Sequence, residues 1–147
     1  IIPNPYTTLS IPANTEWIFA VVAYNPGDFS LYTNSSKGFT KINSIKPNVA
    51  APGMNIYAPS VGGTFINASG TGIAAAYAAG TVALLLEWGV LRGNHPDING
   101  IDVNRILIRG AYRDPNLTYP NQDWGYGILD LENSIKLAAL SAPIERF

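Results

Sequence analysis

The chain has 147 residues, 47% of them apolar and 13% charged, with a net charge of −1. That length is enough for one domain with one core, and that composition is far from the disordered class. The basic residues stand singly, as at Lys37, Arg92, Arg105 and Arg113, so no basic footprint points to nucleic acid or an anionic membrane. The absence of cysteine excludes disulfides, thiolate metal sites and a cysteine nucleophile.

The chain opens Ile1-Ile2-Pro3-Asn4-Pro5, with no charged leader and no initiator methionine, and is expected to be a piece of something longer. Residues 1–15 read as a loop with a short extended piece. Glu16 to Tyr24 is a mostly apolar run rich in β-branched and aromatic residues, which suits a strand buried on both faces. Asn25-Pro26-Gly27-Asp28 breaks it. A polar stretch over 30–46 follows, with Gly38 in a turn. Val49 to Ala51 and Met54 to Ala58 read as short strands around a Pro52-Gly53 turn. After the Gly62-Gly63 turn, Thr64 to Ala68 suits a hairpin arm or short strand.

The main helix is expected from about Thr71 to Val90, ended by Gly93, Asn94 and Pro96. Its first half is lined with alanine, and its second carries Leu84-Leu85-Leu86. Between Ile73 and Leu91 the one charge is Glu87, so a membrane span must be weighed. The weakly anchoring Ala and Gly, the internal Glu87 and the lack of flanking basic clusters favour a helix buried in a large domain. A second helix is expected over Asp102 to Arg109, capped by Asp102 or a neighbour. A loop over 112–127 and a last helix from about Asp130 to Leu140 complete the chain. Strands followed by long helices argue an α/β layered domain.

Three segments in this order resemble the subtilisin-like serine proteases, the subtilases. Lys46 to Ile56 (KPNVAAPGMNI) is similar to the family's K-P-D-x-x-A-P-G-x-x-I. Ser69-Gly70-Thr71-Gly72-Ile73-Ala74-Ala75-Ala76 resembles the S/N-G-T-S-x-A-x-P block that carries the nucleophile at the start of a buried helix. Trp124-Gly125-Tyr126-Gly127-Ile128-Leu129-Asp130 resembles the turn before the C-terminal helix. Ser36-Lys37-Gly38 is a weaker match, to S-x-G. The helix sequence and the stretch Ile108 to Gly127 are similar to the clostridial Csp subtilases of spore germination, some of which are pseudoproteases.

The resemblance implies a three-layer αβα fold with a mostly parallel sheet, of which residues 1–147 form the C-terminal portion. The Asp and His of the catalytic triad and the oxyanion-hole Asn would precede Ile1. It also places Gly72 where the nucleophilic serine belongs. Glycine has no hydroxyl, so no acyl-enzyme can form. Gly70, Thr71 and Gly72 are the expected remnant of the oxyanion site, because a backbone N–H at a helix N-terminus still favours negative charge.

Other readings of Gly72 are a serine replaced to trap a precursor, and an ordinary helix-start glycine of an unrelated fold. Ser69 and Thr71 are poor substitutes for the nucleophile, since Ser69 precedes the turn and Thr71 is expected to face the core or cap the helix. His95, the single histidine, sits in a loop after the helix and is expected in solvent. Tyr77 is expected to be a packed aromatic. Asn48 stands where the family has Asp, which removes a charge for which a structural partner is expected. Asp97, Asp102, Asp114 and Asp123 follow no calcium-loop pattern, so no metal or cofactor is expected. The implied partners are the N-terminal portion of the same polypeptide, other Csp proteins or a cortex-hydrolase precursor. The implied location is the bacterial spore, with no nucleic acid and no membrane span.

Overall fold

The computed structural model describes residues 5–140. Its centre is a parallel pair, β1 (Val21–Tyr24) and β2 (Val49–Pro52), in register from Val21 opposite Val49 to Tyr24 opposite Pro52. On the far side of β2, Ala50 bridges Ile128 in parallel. The Ala50 N–H donates to the Gly127 carbonyl at 2.8 Å, and the Leu129 N–H donates to the Ala50 carbonyl at 2.8 Å. Ile128 in turn pairs antiparallel with Tyr112.

Because side chains alternate along a strand, each sheet face collects its own set. Ala23, Val49 and Ala51 share one core with the helices α1 (Thr71–Leu86), α2 (Gly100–Gly110) and α3 (Leu131–Leu140); α1 and α2 contribute Ala74, Ala78, Leu85, Ile106 and Leu107, and α3 packs Ile135 and Ala138 against it. Val22, Tyr24 and Ala50 face the other way, onto Leu31, Trp124 and Ile128. This is the α/β layering expected, with one helical layer among the described residues.

The strand expected over Glu16 to Tyr24 is shorter than the apolar run. Only Val21–Tyr24 pairs, while Trp17 is 75% exposed and Glu16 and Ile18 lie outside the sheet. Apolar runs do not locate strand ends; hydrogen-bonding partners do, and β2 reaches back only to Val49. β3 (Ile56–Ser60) and β4 (Thr64–Ala68) form an antiparallel hairpin across a 3₁₀ turn at Val61–Gly63. Its outer face stacks Tyr57 on Phe65, with ring centroids 5.2 Å apart.

α1 continues through a π-helical turn, Glu87–Leu91, and stops where Gly93 takes a positive φ of 72°. Ala74, Ala78, Thr81 and Leu85 recur at helical spacing and seat one face on the sheet. Of the burial expected for a helix inside a large domain, the described residues supply this face. Thr71–Leu91 is long and apolar enough to cross a membrane by length and composition, and 28% of its most apolar window is buried among these residues. Ala76, Ala79, Gly80 and Ala83, on the opposite side, are exposed.

α2 begins at Gly100 rather than Asp102. Asn99 is its N-cap, accepting from the N–H groups of Ile101 and Asp102, and the Asp102 carboxylate accepts from the Asn99 N–H. The expected cap at Asp102 is thus half of a capping box whose other half is Asn99.

Candidate functional site: the first turn of α1

Two loops meet at the start of α1. The Gly70 N–H donates to the Gly53 carbonyl at 2.7 Å. A Cβ on Gly53 would stand 2.7 Å from the Ala23 Cβ and 2.9 Å from the Gly70 carbonyl oxygen, so only glycine lets the helix start so near β1. The Asn55 N–H donates to the Ser69 hydroxyl oxygen at 2.9 Å. That contact ties the Ser69 side chain to the loop before the helix.

Within the first turn, the Ile73 and Ala74 N–H groups donate to the Gly70 carbonyl at 3.2 and 3.3 Å. Among the described residues nothing accepts from Thr71 or Gly72, whose N–H groups belong to the unpaired set of every helix start. Thr71 and Gly72 are both exposed. Thr71 therefore neither faces the core nor caps the helix; the cap position is Gly70, which has no side chain to offer. Beyond its neighbours, no heavy atom lies within 4 Å of where a Cβ on Gly72 would stand. Packing does not demand glycine there, and a serine side chain would fit. Two free N–H groups at the positive end of a 16-residue helix suit a carbonyl or carboxylate oxygen.

At the other end of β2, before Val49, lies a buried cation. Lys46 is 3% exposed. Its ammonium donates to the carbonyls of Ile18 and Glu16 and, at 3.0 Å, to Asn48 Oδ1, which also accepts from the Ala20 N–H at 2.8 Å. Burial holds its pKa below the ordinary lysine value, partly offset by Glu16. Lys46 is thus the structural partner of the residue that is Asn48 here and Asp in the family pattern. Sequence reasoning flagged Asn48 but missed the burial of Lys46; the signal was a lysine three residues before a fully apolar strand.

His95 is half-buried rather than in solvent, with its backbone N–H bound to the Gly89 carbonyl at 2.8 Å, beyond the C-terminal end of α1. It is not brought to Gly72. Tyr77 is 50% exposed, so it is not a packed core aromatic. Among the described residues no group of His, Cys, Asp and Glu could hold a metal ion. Ser36-Lys37-Gly38 is stitched to the last motif. The Gly38 N–H donates to the Gln122 carbonyl at 2.9 Å, and Lys37 pairs with Asp123 at 2.6 Å.

A parallel sheet, a helix starting against it through a close glycine contact, and free N–H groups at that start define part of an α/β layered domain with an open helix N-terminus at the sheet edge. Residues 2–127 match the Subtilase family, and the chain belongs to it. The CspB protease of Clostridium perfringens superposes with a TM-score of 0.90 at 37% identity, over 95% of this chain and 31% of that one. The serine protease AprX of Bacillus subtilis is 27% identical over 87% of this chain and 32% of its own length. Pyrolysin of Pyrococcus furiosus is 34% identical over 72% of this chain and 8% of its own. The chain therefore spans about a third of the first two relatives, and the likeness to a Csp protease agrees with the resemblance seen in the α1 sequence.

Proposed function

We propose that this chain is the C-terminal part of a subtilisin-like pseudoprotease, a scaffold that docks a peptide group without cleaving it. The observation that carries this is Gly72: an exposed glycine in the first turn of α1, at the nucleophile position of the family motif, with an uncommitted N–H and no hydroxyl. A carbonyl can bind at the Thr71 and Gly72 N–H groups, but there is no oxygen to attack it. Loss of one triad member costs roughly four to six decades of rate. By its likeness to the Csp group, the protein works in the bacterial spore, relaying a germinant signal through other Csp proteins or towards a cortex-hydrolase precursor.

A second reading rests on the open space at Gly72. A serine there would need no repacking, which suits an active protease of the same group, one that processes a cortex pro-hydrolase, carrying a Ser-to-Gly exchange. Gly72→Ser in the full-length polypeptide separates the two. A pseudoprotease whose upstream His and Asp are also replaced stays inactive towards peptide substrates. An enzyme lacking only its serine regains roughly four to six decades of rate.

The uncovered side of α1 fits the N-terminal portion of the same polypeptide as its partner. Exposed Leu84 (54%) and Leu91 (80%) flank the small-residue surface. Expressed alone, residues 1–147 are expected to self-associate, and co-expression with the preceding portion to restore a defined species. A monodisperse monomer of the isolated chain in size-exclusion chromatography would argue against this partner.

A further inference from the structure

A cavity of about 730 Å³ opens between α1, the 112–131 segment and the loop after β1. That is within the range of small-molecule sites, roughly 300–1,000 Å³. Five aromatic rings line it, Phe29, Tyr77, Tyr112, Tyr119 and Trp124, beside four aliphatic side chains. These rings are held in place. Phe29 stacks on Tyr24 with centroids 5.8 Å apart, and Tyr24 also meets Trp124 at 5.8 Å. The Trp124 backbone N–H donates to Asn121 Oδ1 at 2.7 Å, and Tyr119 Oη accepts from the Asp114 N–H. Phe29, Tyr77 and Tyr112 are each about half exposed, so their rings are reachable.

The charged groups on the wall are Asp114 and Asp130; no Lys, Arg or His lines it among the described residues. Each carboxylate spends its Oδ1 on local structure. Asp114 accepts from the Asn116 N–H and Nδ2, and Asp130 accepts from the Asn133 N–H at the start of α3. Their Oδ2 atoms accept no hydrogen bond from the described residues. The neighbouring cation Lys136 pairs with Glu132 at 2.6 Å and interacts more weakly with the Asp130 charge, leaving Asp114 without a cation on the wall. Negative ring faces and two carboxylates without a cation between them form an environment that favours a positive guest and repels an anionic one.

The cavity is separate from the first turn of α1. Tyr77 follows Gly72 by five residues, which at 3.6 residues per turn puts it about 140° around the helix axis. A group docked on the Gly72 N–H does not occupy it.

We propose that this cavity is a second binding site, for a small organic ammonium ion with an aromatic or apolar body. The ring faces take the ammonium and the body, and Asp114 and Asp130 supply the counter-charge. The site is independent of whether residue 72 is glycine or serine.

The test uses the full-length polypeptide and three probes of one shape: phenethylamine, 2-phenylethanol and 3-phenylpropionate, followed by calorimetry and saturation-transfer NMR. Phenethylamine is expected to bind at millimolar concentration or below, about ten-fold tighter than the alcohol, with the carboxylate weakest. The double variant Asp114→Asn, Asp130→Asn keeps both local hydrogen-bond acceptors and should erase the preference for the amine. Equal binding of the three probes overturns the proposal without any variant being needed. So does a preference that survives the double exchange. Failure of phenethylamine to bind also overturns it, and is the outcome if another part of the polypeptide fills the cavity.

Discussion

The segment from Lys46 to Gly53 and the first turn of α1 touch through one hydrogen bond, yet they are built on opposite terms. In the first, every position from Lys46 to Gly53 is buried and the polar groups are paired. In the second, Thr71 and Gly72 are exposed and their N–H groups are free. One glycine marks each region. Gly53 is glycine because β1 and the start of α1 leave no room for a Cβ; Gly72 stands in open space. The start of α1 is under steric constraint at Gly53, whereas glycine at residue 72 answers to no packing demand among the described residues. On the proposed reading, the absence of a hydroxyl at residue 72 then belongs to chemistry, not to folding.

The largest expected effect tests the crowded side. Gly53→Ala in the full-length polypeptide should cost about 3 kcal/mol, because the new methyl meets Ala23, Gly70 and Ala74 at once and none is a flexible side-chain end. The shift of the urea midpoint measures it. A loss under about 1 kcal/mol would mean that the α1 start is free to move, and the contrast with Gly72 would dissolve.

Next comes the buried cation. Lys46→Met leaves the carbonyls of Glu16 and Ile18 without their donor and should cost about 2 kcal/mol. The reverse change, Asn48→Asp, supplies a carboxylate to the ammonium and should gain about 1 kcal/mol near neutral pH. The sign of the pH dependence follows from the lowered pKa of Lys46. Folding disfavours its charged form, so stability should rise as pH climbs from the folded-state value towards about 10.4, that of the unfolded chain. The introduced carboxylate would favour the charged form and flatten that rise. Denaturant midpoints between about pH 8 and 10 distinguish the two, below the range where Tyr24, whose pKa is raised by burial and by Tyr77, contributes the opposite slope.

The crowded region was also the more legible one in the sequence. Lys46, Pro47 and Gly53 belong to a family pattern whose spacing is fixed by contacts, so order and spacing sufficed to place β2 and the start of α1. Gly72 was legible for the same reason, as a gap in a pattern. The aromatic cavity was not. Phe29, Tyr77 and Trp124 are distant in sequence and follow no shared period, and only the packing of Phe29 and Trp124 on Tyr24 brings those walls together. Tyr77 escapes a sequence reading because a residue on the flank of a helix has the same periodicity whether it meets a neighbour or a void. Asn99 escapes it as a cap because Asn99-Gly100 reads equally as a turn, and the reciprocal bond from Asp102 decides between them.

The smallest expected effect falls on the open side and has the opposite sign. Gly72→Ala should stabilise the full-length polypeptide by about 0.5 kcal/mol, since an exposed helical glycine loses more backbone freedom on folding than alanine and no atom awaits the new methyl. Alanine restores no hydroxyl, so this variant isolates the backbone effect from the chemical one that Gly72→Ser would add. A gain in melting temperature without a gain in hydrolysis is what an unconstrained, deleted nucleophile predicts. A loss of stability on the same substitution would mean that another part of the polypeptide lies against residue 72 and requires glycine there, and the absence of the hydroxyl would then have a steric cause after all.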